Sequence, residues 1–166
     1  HPPSELRQRC APTDSGNDFR HRLIQGEVHD ENCYVLNGVS AHAGLFSTAD
    51  DIAKFAACML RGGDPIFSPD TVRKFTRRDT MPPYTTRTLG WDTPSQPSSS
   101  GRYFSPYSYG HLGFTGTSLW IDPEADLAIV LLTNRVWPDR SSQLIKQFRP
   151  AFHDAVREEL GLVCDR

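Results

Sequence analysis

The stretch YGHLGFTGTSLWIDPEADLAIVLLTN, from Tyr109 to Asn134, restricts the fold more than any other part of this chain. Two runs rich in strand-forming residues, 117–121 and 127–132, flank the turn sequence DPEAD and predict an antiparallel hairpin. Every residue of the second run is apolar, which is typical of a strand covered on both faces. The rest of the sequence must therefore supply a packing layer on each side of the hairpin.

Two helical patterns precede the hairpin. The segment GLFSTADDIAKFAACMLRGG has a capping Ser47 or Thr48, acids in its first turn, apolar residues at helical spacing and Gly62 as a stop, which together predict an amphipathic helix. The segment FSPDTVRKFTRR repeats this pattern over a shorter length, with Ser68 as the cap and Pro69 at the first helical position. The first helix can cover one face of the sheet.

A third helical pattern follows the hairpin and can cover the other face. Its apolar residues recur every four positions, and Pro150 is expected to kink or restart the helix. These apolar residues are Leu144, Phe148, Phe152, Val156 and Leu160. Helices packed on an antiparallel sheet predict a mixed α/β chain of the α+β class.

The patterns divide the chain into five regions. These are a loop-rich opening segment at 1–43, a helical part at 44–78, a loop-rich part at 79–108, the strands of the sheet at 109–134 and a C-terminal helix at 139–162. The opening segment is expected to be extended loop with at most a short strand. Within the third region, the sequence TPSQPSSSG at 93–101 predicts a mobile surface segment.

Composition excludes several classes of protein. A chain of 166 residues with 37% hydrophobic content can bury an ordinary core, as one domain or as part of a larger one. Its net charge is −2 and its basic residues are scattered, so the sequence lacks the basic patch that is typical of proteins that bind nucleic acid or an anionic membrane. No apolar run approaches the roughly 20 residues that span a bilayer, and the first residues lack the pattern of a signal peptide. Nothing in the sequence indicates a cofactor.

The four cysteines form no C-x-x-C pair, so the local spacing of a zinc ribbon or redox motif is missing. Free or buried thiols are expected at Cys10, Cys33, Cys58 and Cys164. Cys58 lies among small apolar residues of the predicted helix, where a cysteine acts as an apolar filler.

His111 is followed by two closely spaced glycines, Gly113 and Gly116. One interpretation is a strand edge that a ligand approaches closely, with exposed backbone N–H groups able to hold an oxyanion. The other is a glycine-rich strand start or bulge beside a solvated histidine. Composition alone does not decide between them.

Four stretches of the sequence resemble one known family. GHLGFTG followed by SLWIDPEADLAIVLLTNR resembles the third active-site motif and last strands of the serine β-lactamase and penicillin-binding-protein superfamily, in its class C-like serine hydrolase and D,D-peptidase branch. HAGLFSTADDIAKFAACML is similar to a helix-opening stretch of that branch, and VHDEN and LGWD match a bacterial subgroup associated with cell-wall metabolism. The resemblance implies a β-lactamase/transpeptidase-like fold, an antiparallel sheet packed by N- and C-terminal helices.

The resemblance also implies roles for the residues of the motif. His111 would replace the usual lysine near the substrate carboxylate or the catalytic proton network, and the backbone N–H of Phe114 would be one oxyanion donor. Arg135 could anchor a substrate carboxylate by a bidentate contact, although a solvated arginine is the ordinary interpretation. The remaining motif residues expected to bind substrate are Leu112, Gly113, Thr115 and Gly116.

The sequence departs from the family pattern in ways that matter for chemistry. The residues three before Lys54, Lys74 and Lys146 are not serine, so the chain contains no Ser-x-x-Lys nucleophile motif. The one Ser-x-Asn sequence, at 15–17, is interpreted as a turn, and Leu112 stands where the motif usually has a hydroxyl. We therefore expect residues 1–166 to be the C-terminal portion of a single β-lactamase-related domain, in a longer enzyme.

A metal site is the weaker alternative. His29, Asp30, Glu31 and His42 are ligand-type residues, but no helical i, i+4 pair presents two of them together. With the resemblance in view, they are interpreted as polar loop residues near the rim of the active site, and no metal is expected.

Two functional hypotheses follow. The first is a bacterial serine hydrolase that acts through an acyl-enzyme on an amide or ester, such as a peptidoglycan peptide or a β-lactam-like compound. The second is a catalytically inactive binding or interaction remnant of the same fold. The resemblance implies the cell envelope or the exterior as location, and the missing N-terminal half as a partner. Coding sequence directly upstream would distinguish the two hypotheses.

Overall fold

The computed structural model describes residues 1–163, so Cys164 lies outside the described residues. A 3-10 helix covers Ser4–Arg9, and four α-helices follow. They are α1 (Glu31–Val35), α2 (Ala49–Leu60), α3 (Pro69–Thr76) and α4 (Ile145–Glu159). Three strands lie between α3 and α4. They are β1 (Tyr109–Leu112), β2 (Ser118–Asp122) and β3 (Leu127–Leu131).

The three strands form one antiparallel sheet in the order β1-β2-β3. Ile121 of β2 lies opposite Tyr109 of β1 and Ala128 of β3, while Trp120 lies opposite Gly110 and Ile129. Because side chains alternate along a strand, these two sets point to opposite faces of the sheet. The predicted hairpin is confirmed, and helices on a sheet confirm the α+β class.

Helix α2 covers the first face with apolar side chains. The Thr48 hydroxyl caps the helix by accepting a hydrogen bond from the Asp51 N–H. Ala56 and Met59 pack against Tyr109 and Ile121, with α3 contributing to the same cluster. The predicted amphipathic helix is confirmed, including its cap.

Helix α4 covers the second face, but with a different side from the one that the sequence predicted. Within the expected row of apolar residues, Phe152 and Val156 pack against a cluster of Phe104, Trp120 and Ile129. Leu144, Phe148 and Leu160 are exposed, so the expectation that the whole row is buried was wrong. The helix also continues through Pro150 without a break.

The buried side of α4 is a row of residues one position further along the sequence. After Ile145 it consists of Arg149, His153 and Arg157, which we call the polar row. Each member finds a polar partner on or beside β2, which satisfies its buried donors far better than an apolar surface would. Counting apolar residues missed this side because it is polar.

The segment 93–101 is only in part the surface segment that the sequence predicted, because Gln96 and Pro97 are exposed whereas its other residues are at least partly buried. Ser100 is fully buried, and the Ser99 carbonyl lies 3.1 Å from Nδ1 of His153. The following Arg102 binds Asp154 of α4 through both its backbone N–H and its guanidinium. The end of this serine-rich segment therefore packs against α4.

Residues 1–43 contain two short helices that the sequence did not predict and no strand within the described part of the chain. Asp14 and Ile24 pair in an isolated antiparallel bridge. No helix among residues 1–163 combines the length and the apolar character needed to cross a membrane.

Candidate active site

The glycine-rich motif after His111 forms a tight turn between β1 and β2. The Gly113 N–H donates to the Thr117 carbonyl at 2.8 Å, and the Gly116 N–H donates to the Gly113 carbonyl at 3.1 Å. We call residues 113–117 the motif turn. It presents the residues predicted to form the site at one end of the sheet.

The three glycines around His111 each have a packing reason. A Cβ on Gly110 would lie 2.4 Å from the Trp120 indole, and one on Gly113 would meet the Thr117 hydroxyl. Gly116 has φ +117°, and its Cβ would lie 2.8 Å from the Thr133 hydroxyl. Close packing against neighbouring side chains is therefore sufficient to explain all three glycines.

Phe114 lies at the tip of the motif turn with 59% of its surface exposed. Its ring stacks on His29 at 5.6 Å between centroids, and the Arg135 guanidinium lies 4.1 Å from the ring centroid on the ring face. Its carbonyl accepts from Nε of Arg135 at 2.7 Å. Its N–H donates to no acceptor among the described residues, so this donor is available to a ligand.

His111 is exposed on the face of β1 that also carries Tyr109. Its Nδ1 lies 3.0 Å from the neighbouring Leu112 carbonyl, so Nε2 is the nitrogen directed to solvent.

Arg135 is held by the protein itself. Nε donates to the Phe114 carbonyl, and Nη1 donates to the carbonyls of Arg140 and Ser142 at 3.0 and 3.1 Å. A bidentate grip on a substrate carboxylate needs two free parallel donors. The contacts of Arg135 support a role in holding the turn rather than the predicted carboxylate grip.

A cavity of about 300 Å³ lies between the motif turn and the start of α4. The turn side is formed by Leu112, Gly113 and Phe114, and the helix side carries Gln143, Ile145, Lys146 and Arg149, with Arg135 between them. Three of these side chains are cations, and no acidic side chain from the described part of the chain lines the cavity. The cavity is thus suited to an anionic group.

Arg149 and His29 belong to this region, although nothing in the sequence indicated Arg149 there. Arg149 is buried, and burial, followed by repulsion from Arg135, lowers its pKa below the ordinary value. His29 is buried against Phe114, and burial lowers the pKa of its imidazole. Neither ring nitrogen of His29 has a partner among residues 1–163. The sequence placed His29 only near the rim of the site.

The ligand-type residues near His29 do not meet at one point. Nε2 of His42 lies 2.9 Å from Asp30, and Glu31 accepts from Arg140 at 2.8 Å. The Cys33 N–H and, to a smaller extent, His42 hold the pKa of Asp30 below its usual range. No cluster of three or more metal-ligand side chains is found in the part of the chain that the structure describes.

The Ser-x-Asn sequence at 15–17 lies in a loop, and Asn17 begins the turn at 18–20. The Asn17 side chain accepts from the N–H groups of Phe19 and Arg20. An asparagine occupied by its own loop in this way is an ordinary turn residue.

Fold and motif together match a known family. The beta-lactamase family matches residues 1–149, and the chain belongs to that family, within the serine β-lactamase and penicillin-binding-protein superfamily. A crystal structure of a beta-lactamase from Mycobacterium bovis is similar, with a TM-score of 0.62 and 28% sequence identity. The similarity covers 76% of this chain and 53% of the M. bovis chain.

Two bacterial relatives have a higher sequence identity to this chain. A protein from Salmonella agona is 44% identical and one from Salmonella paratyphi B is 43% identical, each over 126 residues. Both carry the provisional name D-alanyl-D-alanine carboxypeptidase. The aligned region covers 71% of this chain but 29% of each relative, so the chain spans under a third of the length of the curated relatives it matches.

Proposed function

We propose that this chain is the C-terminal part of a serine hydrolase that forms an acyl-enzyme on an amide or ester. The observation that carries the proposal is the N–H of Phe114, which belongs to an exposed residue, is unpaired among the described residues and lies between two fixed carbonyls. When a serine hydroxyl attacks a substrate carbonyl, that carbonyl oxygen becomes negative and needs such a donor. The leaving amine or alcohol takes a proton, and water then releases the acid from the serine.

The cavity beside the motif turn supports a substrate that carries a carboxylate. Lys146 and Gln143 offer a charge and an amide at its helix side, and Leu112 offers only an apolar wall where the family has a hydroxyl. A peptidoglycan peptide ending in a carboxylate and a β-lactam-like compound both fit this chemistry. The names of the Salmonella relatives support the first class and a location in the cell envelope.

The nucleophile and its base would come from a preceding segment of the same protein. The described residues pair only one edge of β3, and apolar Leu144 and Phe148, at the start of α4, are exposed. An unpaired strand edge next to apolar side chains is a surface that another part of a chain can complete. Supplying that segment should therefore stabilise this chain as well as add the nucleophile.

The alternative is a binding or interaction remnant of the same fold without chemistry. The absence of Ser-x-x-Lys from the sequence and the leucine at position 112 favour it. Such a remnant would still bind anions in the cavity but would never be acylated.

A fluorophosphonate probe that labels activated serines tests the proposal. The protein translated with its upstream coding sequence should be labelled, whereas the 166-residue chain alone should not. In the labelled protein, His111→Ala should lower kcat/KM on p-nitrophenyl acetate by about 10²-fold if His111 moves a proton. Absence of label and of turnover in the longer protein would support the binding remnant.

A further inference from the structure

The buried guanidinium of Arg149 donates two hydrogen bonds to the motif turn. Its Nη2 donates to the Gly113 carbonyl at 2.6 Å and to the Thr117 carbonyl at 2.8 Å. These two carbonyls already accept the N–H bonds that close the turn. Arg149 thus connects both ends of the motif turn to α4.

Among the described residues this cation has no counter-ion. No carboxylate lies within ion-pair distance of Arg149 among residues 1–163, and its Nε has no partner there. Burying an unpaired charge is costly, and only strong hydrogen bonds to dipoles can offset part of that cost. The two short hydrogen bonds to the turn carbonyls offset part of the cost of burying this charge.

The bond to the Gly113 carbonyl has a geometric effect on Phe114. The Gly113 carbonyl and the Phe114 N–H belong to one planar trans peptide, in which C=O and N–H point in opposite directions. Because the Gly113 carbonyl points to the Arg149 guanidinium, the Phe114 N–H points away from that guanidinium. A charged donor on the carbonyl also polarises the amide, which makes its N–H a stronger donor.

The next peptides are held as well. The Phe114 carbonyl accepts from the Arg135 side chain, and the Thr115 carbonyl accepts from the Arg135 backbone N–H at 2.9 Å. With these carbonyls fixed by Arg135, the peptide that carries the Phe114 N–H is held at the Gly113 carbonyl, by the Gly116 N–H at 3.1 Å and more closely by Arg149 at 2.6 Å.

We propose that Arg149 is a positioning residue that aims and polarises the Phe114 N–H as an oxyanion donor. The oxyanion role rests on the proposed function, whereas the control of the peptide orientation does not. Arg149 acts through the backbone and needs no contact with the substrate.

The direct test is the ¹⁵N–¹H spectrum of the protein with Arg149→Met and Arg149→Lys. Arg149→Met should shift the Phe114 amide resonance strongly and speed its hydrogen exchange, and Arg149→Lys should recover part of both. Gln147→Met, an exposed change on the same helix, should leave Phe114 unmoved, and circular dichroism should show that all three variants fold. An unmoved Phe114 resonance in both Arg149 variants overturns the proposal.

Kinetics in the longer protein separate positioning from substrate binding. For the neutral ester p-nitrophenyl acetate, Arg149→Met should lower kcat by about 10²-fold with KM nearly unchanged, as for loss of one oxyanion donor. A loss confined to KM for a carboxylate-bearing ester would make Arg149 a substrate ligand and overturn positioning. If the wild-type protein hydrolyses no ester, the proposed function fails, while the Phe114 spectrum still decides the role of Arg149.

Discussion

On one face of the sheet, α2 packs through apolar side chains such as Ala56 and Met59, whereas on the other face α4 inserts the polar row. Nε2 of His153 lies 3.3 Å from the Ser118 hydroxyl, and Arg157 binds Asp122 at 2.7 Å. Both faces exclude water, but they achieve this with different chemistry.

The difference teaches how the end of the sheet is positioned. Apolar contacts are non-directional, so a helix held only by them can shift slightly at small cost. A buried donor that loses its partner costs about 1–3 kcal/mol, so α4 cannot shift without penalty. Arg149 lies at the end of the polar row nearest the motif turn. The polar face of the sheet is thus the one that holds the motif turn in place.

The largest expected effect comes from breaking the polar row at Asp122. This carboxylate binds Arg157 and accepts from the Ser105 N–H at 3.0 Å. Asp122→Ala should lower the free energy of unfolding by about 3–5 kcal/mol, because it leaves a buried guanidinium unpaired. Urea unfolding measures the loss. On the apolar face, Met59→Leu should cost less than about 1.5 kcal/mol. Equal losses on the two faces would contradict the comparison.

The second effect is a loss of stability in acid that comes from His153. Burial lowers the pKa of His153 from 6.5 to about 4. Between pH 4 and pH 6.5 the imidazole is protonated in the unfolded chain but neutral in the folded chain. The free energy of unfolding therefore falls as the pH falls from 6.5 to 4. The loss should reach about 3 kcal/mol at the acid end. Urea midpoints at several pH values should show this slope, and His153→Gln should flatten it. A mutant slope equal to the wild-type slope would remove His153 as its source.

The apolar face should respond to alkali instead, through Tyr109. Burial raises the pKa of this phenol from 10.0 to about 12. The contribution of Tyr109 to the free energy of unfolding is therefore fully present below pH 10. It is lost as the pH rises toward 12, because the phenol ionises in the unfolded chain first. The loss should be about 2 kcal/mol. Tyr109→Phe should abolish it in unfolding curves recorded at alkaline pH, whereas His153→Gln should not change it.

The smallest effect concerns how the two helices begin. Thr48 caps α2, whereas α4 begins at Leu144 without a side-chain cap. Thr48→Ala should lower the free energy of unfolding by about 1 kcal/mol. Leu144→Ala, at a position 72% exposed, should change it by less than about 0.5 kcal/mol. Thermal unfolding can compare the two variants. A larger loss at Leu144 would show that α4 depends on its first residue after all.

Sequence periodicity was sufficient for the hairpin and for α2, because both bury apolar residues at regular spacing. It was misleading for α4, where the apolar row is half exposed. Arg149 and Arg157 look like surface residues until their partners on or beside β2 are known, and those partners lie 32 or more positions away. Long-range pairing of buried polar groups cannot be read from local spacing.

The candidate site was predictable in part. The resemblance of the motif placed His111 and Phe114 together, and the structure puts both at one end of β1. It could not assign Arg135 to the backbone carbonyls, because a carbonyl acceptor leaves no mark in the sequence. The same reason hid the grip of Arg149 on the motif turn.

The polar row also limits how the length of this chain can change. One residue inserted between Arg149 and Arg157 would rotate the rest of α4 by about 100° and carry one guanidinium away from its partner. The exposed loop at 79–84 has no such constraint, since none of its residues is buried. Insertions, deletions and grafted peptides should therefore be accepted at 79–84 and rejected between 149 and 157.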